Sequence, residues 1–391
     1  MALCGALRGI PLRPGKAGCG LDLPAIRWLR CGIGIAMSPV AMTLPAPGRR
    51  AFGTACALSA AVVFAPAVMR TRPGAAGLGR VTVAVGGQGV LYHLPLALAD
   101  CLGYFRAEGL EVVVRDFSAG AQARQAVLRG AADVYSGAFE HIFRAQASGQ
   151  ACRALVLQGR APQLALGVSL RALPGYRDPG DLAGRHIGVS SIGSSTHLAA
   201  SLLLLRSGVA LRHVAFVGVG SGAQALAALR SGQVQALCHA DPIMTLLEQR
   251  QDTRIIGELR SLKAAQDMFG ASMPAGSLCA PQAFIEQQPA QAQALVNGIV
   301  HALKWLHTAA PADLVKAVPA AYLLGDQGLY LAAFSRVRET YSTHGLMPDD
   351  GPATALRVLT HVQPQWAGAK LDPECAYTNE FVHRARQKYD V

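Results

Sequence analysis

Val81-Thr82-Val83-Ala84-Val85-Gly86-Gly87-Gln88-Gly89 reads as a buried strand running straight into a glycine-rich turn. A helical pattern follows over about 92–102, then a turn at 103–109 and a second strand over 111–115. Another helix spans about 121–128 and gives way to a third strand at 132–136. Short strands alternating with helices indicate βαβ units on a mainly parallel sheet. A helix around 140–148 and a strand around 153–158 continue the same layer.

The pattern restarts downstream. A strand at 185–189 leads through Ser190-Ser191-Ile192-Gly193-Ser194-Ser195 into a helix over 196–206. A strand at 214–219, a helix at 223–229 and a strand at 234–237 follow, ending near Asp241-Pro242. Residues 125–134 and 226–235 echo one another, each a helix closed by glycine with a strand close behind. The expectation is a two-lobed α/β protein, each lobe a mainly parallel sheet flanked by helices. Lobe 1 takes residues 80–172, lobe 2 takes 173–270, and residues 271–391 return to lobe 1 through a strand near 277–280 and a largely helical tail. A chain that leaves a lobe and re-enters it creates a cleft that closes by a hinge.

Upstream of that strand the composition changes. Hydrophobic residues make up 51% and charged residues 15% of the 391-residue chain, which excludes a disordered polyelectrolyte. The net charge is +12, but residues 1–80 carry nine arginines and Lys16 against Asp22 alone, leaving +3 for the remainder. The positive charge therefore belongs to the leader, and no nucleic-acid partner is expected. Arg49-Arg50 precedes the charge-free run 52–69, and Ala65-Pro66-Ala67 supplies small residues, the order of a secretory signal. The arginine pair resembles a twin-arginine export signal, with Gly48 where Ser or Thr is usual. Residues 1–79 are thus read as an extension with an export signal, and the mature chain as periplasmic. Cys101, Cys152, Cys238, Cys279 and Cys375 are scattered without a CxxC, which favours buried small apolar side chains over disulfides or a metal site.

Candidate ligand contacts fall at the strand-to-helix turns. Gly193, Ser194, Ser195 and Thr196 open a helix, where unpaired amides and hydroxyls cradle an anionic or strongly polar group, unless the serines only cap their own helix. Gln88, Tyr92 and His93 flank the first glycine turn; Ser136, Gly137 and Glu140 follow a strand of the same lobe; Asp241 follows a strand of the second. Tyr92 and His141 also fit as ordinary, partly buried helix residues. The motif tests for chemistry come up empty. No serine has glycine on both sides at the nucleophile-elbow spacing, neither glycine turn completes GxGxxG or contains a Walker lysine, and the eleven histidines include no HExxH. No catalytic residue, cofactor or metal is expected. A hydrolase would need Ser194 or Ser195 to meet His197 or His93 and a distant carboxylate in space.

Taken in order, several blocks resemble a known family. They include Leu94-Pro95-Leu96-Ala97-Leu98-Ala99-Asp100-Cys101-Leu102-Gly103-Tyr104-Phe105, Glu108-Gly109-Leu110 and Gly130-Ala131-Ala132-Asp133. Leu182-Ala183-Gly184-Arg185-His186-Ile187-Gly188-Val189, Gly193-Ser194-Ser195-Thr196-His197 and Asp241-Pro242 extend the likeness. Together they resemble the SsuA/THI5-like (NMT1-type) periplasmic substrate-binding proteins of ABC importers over roughly 80–380. The resemblance implies a type II periplasmic-binding fold, a monomer that delivers its small-molecule ligand to an inner-membrane ABC permease. It implies ligands such as nitrate, taurine, sulfonates, aromatic acids or thiamine-pyrimidine precursors, held near Gln88, Gly193–Thr196 and Asp241. Glu140 departs from an anion-only pocket and favours an amine-bearing or zwitterionic ligand. Some relatives are pyrimidine synthases with a cysteine-rich motif, which is missing after Cys56.

Overall fold

A computed structural model describes residues 77–391, so the export signal and the rest of the expected extension before residue 77 lie outside the described residues. Ten strands form two five-stranded sheets. The first contains β1 (Gly79–Gly86), β2 (Leu110–Phe117), β3 (Val134–Ala138) and β4 (Cys152–Leu157). The second contains β5 (Leu164–Ser169), β6 (His186–Val189), β7 (Ala215–Gly218), β8 (Ala236–Ala240) and β9 (Thr253–Leu259), after which β10 (Gly276–Pro281) rejoins the first. The orders β2-β1-β3-β10-β4 and β7-β6-β8-β5-β9 are the same topology used twice. The echoed segments fall on its equivalent positions, before β3 and β8.

Each sheet is mainly parallel, as expected, with one antiparallel strand set among four that run the same way. β1 runs parallel to β2 and β3, and β6 to β7 and β8. β10 and β5 run antiparallel to both of their neighbours. These are the two strands that enter a lobe from the other one, so their direction follows from the crossover. The second sheet therefore begins at Leu164, upstream of the expected boundary at 173, because β5 pairs with β8 and β9.

The core of the first lobe sits between its sheet and the long helix Pro289–Thr308. Proline at the first turn suits that helix, since the amide it lacks would have no intrahelical partner. Leu295, Ile299 and Leu303 share one apolar cluster with Val81, Val83 and Leu98, all fully buried, each contributing about 2 kcal/mol by area. The tail reaches beyond the first lobe. Helix Gly351–Val362 contacts helix Ser195–Arg206, and helix Gln327–Val337 contacts helix Ile243–Gln249, both in the second lobe. Among the cysteines, Cys152, Cys238 and Cys279 are buried as expected, whereas Cys101 and Cys375 are exposed. Among the described residues no helix is long and apolar enough to cross a membrane.

Candidate functional site

The parallel strands β1, β3, β6 and β8 all point their carboxyl ends at the interlobe cleft, where ligands collect in open α/β sheets. Two adjoining cavities lie there, sharing Tyr92, Leu164 and Ser195 as common wall. One, partly open, spans about 430 Å³ and has the more polar lining: His93, Gly137 and His141 come from lobe 1, and Ser190, Thr196 and His239 from lobe 2. The other, also partly open, spans about 370 Å³ and is mostly apolar, with Leu198, Leu202, Leu259, Phe269, Val358 and Glu140 in its lining.

Helix Ser195–Arg206 brings its start to both. Ser194 is its N-cap; its hydroxyl accepts from the His197 amide at 3.4 Å and donates to the Ser191 carbonyl at 2.7 Å. Thr196 Oγ1 is likewise engaged, accepting from the Ser190 amide at 2.8 Å and lying 2.7 Å from Ser194 Oγ. Ser195 has neither role. Its hydroxyl has no protein partner, and the amides of Ser195 and Thr196 are first-turn donors without intrahelical acceptors. The helix start therefore leaves two amides and one hydroxyl without protein partners.

Three buried histidines line the polar cavity. His93 Nδ1 lies 3.2 Å from Ser136 Oγ, which accepts from Gln158 Nε2 at 2.9 Å. Burial holds His93 down to about 4, with the Gly86 carbonyl opposing. His239 Nδ1 donates to the Ala240 carbonyl at 3.1 Å, so Nε2 is left without a partner. Burial lowers its pKa against the Ala240 and Gly220 carbonyls. His141, expected as an ordinary, partly buried residue, is only 1% exposed, and neither ring nitrogen has a partner. Burial, then Arg124 and Arg144, keep it well below its usual range. A buried imidazole with both nitrogens idle is a costly arrangement unless a ligand completes it.

Glu140 lines the apolar cavity, 3% exposed, with Oε1 unpartnered. Burial pushes its carboxyl up; Arg144 and Arg124 oppose this. Two expected contacts lie elsewhere. Asp241 is used internally, accepting from the Thr245 amide at 2.8 Å and pairing with buried Arg260 at 3.4 Å, because its helix and β9 fold over it. Gln88 sits in a separate groove with Tyr322, its amide bound to Asp116 Oδ1 at 2.9 Å. His239 on β8, which the sequence reading passed over, lines the polar cavity.

The lobes touch directly at the cleft's rim. Ser221 Oγ donates to the Ser118 carbonyl at 2.9 Å, and the Leu91 amide to the Asp241 carbonyl at 2.8 Å. Gly87 adopts φ +88°, and a Cβ there would lie 2.5 Å from Ser221 Cβ.

The arrangement offers little to nucleophilic catalysis. Ser194 gives its proton to a carbonyl, and His197 Nδ1 accepts from the Gly193 amide at 3.1 Å. Ser136 does meet His93, but a carbonyl rather than a carboxylate stands behind that imidazole, and a pKa near 4 makes it a feeble base. Among the described residues no group of three or more His, Cys, Asp or Glu side chains is placed to hold a metal ion.

No curated protein matches the chain. Among solved structures, a protein of Bordetella bronchiseptica RB50 is 48% identical, with 80% of this chain and 98% of the other covered at a TM-score of 0.77. The alkanesulfonate-binding protein SsuA from Xanthomonas axonopodis pv. citri, bound to MOPS, is 19% identical, covering 80% and 99% at a TM-score of 0.57. The periplasmic nitrate-binding protein NrtA from Synechocystis PCC 6803 is 11% identical, covering 80% and 89% at 0.61. The last two likenesses concern the fold, the two-lobed type II periplasmic-binding architecture. The NMT1/THI5-like family model matches residues 90–312, more than half of the sequence. The chain belongs to the NMT1/THI5-like family.

Proposed function

We propose that the chain is the extracytoplasmic solute-binding component of an ABC importer, which captures a small organic anion or zwitterion between its lobes and passes it to a membrane permease. The observation that carries this reading is the interlobe cavity, lined by the half-buried Ser195 and by His141 and His239, whose ring nitrogens lack protein partners. The adjoining apolar cavity argues for a ligand with an apolar body, such as an aliphatic or aromatic sulfonate or carboxylate, over nitrate. Related solved proteins described as alkanesulfonate- and nitrate-binding support the solute class. Export to the periplasm and a monomeric state belong to the same proposal.

A pyrimidine precursor is the second reading. It is favoured by His141 and His239, whose free ring nitrogens suit a heteroaromatic ring carrying both donors and acceptors.

The test is a thermal-shift screen of the purified mature protein against sulfonates, carboxylates, taurine, nitrate and pyrimidines, followed by calorimetry. A ligand at about one hundred times its Kd stabilises the fold by about 2.7 kcal/mol, a rise of about 5 °C. Silence across the panel, or turnover of a compound that binds, overturns the reading.

A further inference from the structure

The apolar cavity has a second neighbour. Met273 and Pro274 line it, and they also line a large outer groove of about 1600 Å³ bordered by Arg160, Lys263, His344 and His383. No residue lines both the polar cavity and this groove. The three spaces therefore stand in series, with Met273 and Pro274 between the second and the third.

That partition is built to move at its side chain and not at its backbone. On one side the Ser272 amide is anchored to Asp350 Oδ2 at 3.0 Å. On the other, the Ala275 amide donates to the Gly159 carbonyl at 3.0 Å, and the Ala275 carbonyl accepts from Phe139 at 2.9 Å. Between these anchors Pro274 has no amide hydrogen and the Met273 amide makes no hydrogen bond. The Met273 side chain is 6% exposed and packs in the apolar cluster that contains Leu198, Leu202, Met347 and Val358. Methionine is unbranched, with three rotatable bonds and a soft sulfur, so it yields to a neighbour more readily than a branched side chain.

We infer that Met273 is the residue that fixes ligand length: the ligand carries one polar head at Ser195 and an unbranched apolar body that ends against the methionine. The inference rests on the interlobe solute-binding reading. A longer body must push Met273 aside and enter the groove.

The test uses n-alkanesulfonates and n-alkanecarboxylates of two to ten carbons, titrated calorimetrically into the parent chain, Met273→Ala, Met273→Trp and Met273→Leu. Affinity in the parent is expected to rise about fourfold per methylene, then stop rising at one length. Met273→Ala should move that limit about two carbons longer, the reach of the removed thioether, and Met273→Trp should move it shorter. Met273→Leu, close in volume, should leave it in place. Met273→Val serves as a milder shortening if the alanine variant does not unfold cooperatively. An identical limit in all folded variants overturns the partition while leaving solute binding intact. Failure of both series to bind the parent overturns the amphipathic-anion reading and this inference together.

Discussion

Ser194 and Ser195 are neighbours with opposite duties. Ser194 is bound into its own helix start, so Ser194→Ala should cost about 1 kcal/mol of stability, read as a lowered thermal midpoint. Ser195 has no protein partner, so Ser195→Ala should leave the unliganded midpoint almost unchanged. It should instead weaken the best-binding anion of the screen by roughly three- to tenfold, the worth of one hydrogen bond. The reverse pattern would mean that the ligand sits elsewhere. From sequence both serines were equally good candidates, because a capping serine and a ligand-facing one share the same local signature; only the rotation of the helix separates them. His93 carries a second residue-scale prediction. Its folded pKa of about 4 lies below the unfolded value near 6.5, so the unfolded chain binds the extra proton between these limits. The stability tied to neutral His93 is complete above about pH 6.5 and is lost as pH falls toward 4, to a total of about 3 kcal/mol. Urea unfolding at pH 7 and pH 5 should show a smaller difference in His93→Gln than in the parent, and equal differences would refute the assignment.

At the scale of elements, the strands that alternate with helices were readable, as was the returning strand β10, whereas β5 and β9 were not. β5, Leu-Ala-Leu-Gly-Val-Ser, is buried at all six positions and so shows no period that would separate it from a buried helical turn. β9 is interrupted by Gly257, which weakens a strand pattern. The antiparallel direction of β5 and β10 depends on the path between lobes, which is a long-range property. Helix Pro289–Thr308 falls in the tail that reads as largely helical, but its closest contact was not legible. Gly298 admits the Phe105 ring so tightly that a Cβ would lie 2.4 Å from Cδ1. Alanine would favour the helix by about 1 kcal/mol, but overpacking costs about 1–3 kcal/mol, so Gly298→Ala should be neutral to destabilising. In a Phe105→Leu background the same substitution should cost less, and chemical denaturation of the four proteins of this cycle measures the coupling. Additive effects would show that the ring and the helix do not constrain each other.

For the whole molecule, the central question is which contacts hold the cleft shut. The two lobes repeat one topology, and the cavities exist only where they meet. Rim contacts at Ser221–Ser118, Leu91–Asp241 and Gly87 join lobe 1 to lobe 2 directly. Gly87 is the most discriminating of them, because it lines neither of the two cleft cavities yet leaves no room for a Cβ beside Ser221 of the opposite lobe. A valine there would be strained at φ +88° and would wedge against Ser221 Cβ. If closure assembles the two halves of the polar cavity, Gly87→Val should weaken ligand binding at least about tenfold through the open state it favours, without touching any group that lines the cavity. Small-angle scattering separates this from simple unfolding: the parent should contract when ligand is added, and the folded variant should remain extended at the same concentration. A variant that contracts and binds like the parent would relieve Gly87 of this role. The remaining rim hydrogen bonds and the tail helices that contact lobe 2 would then have to carry the closed state.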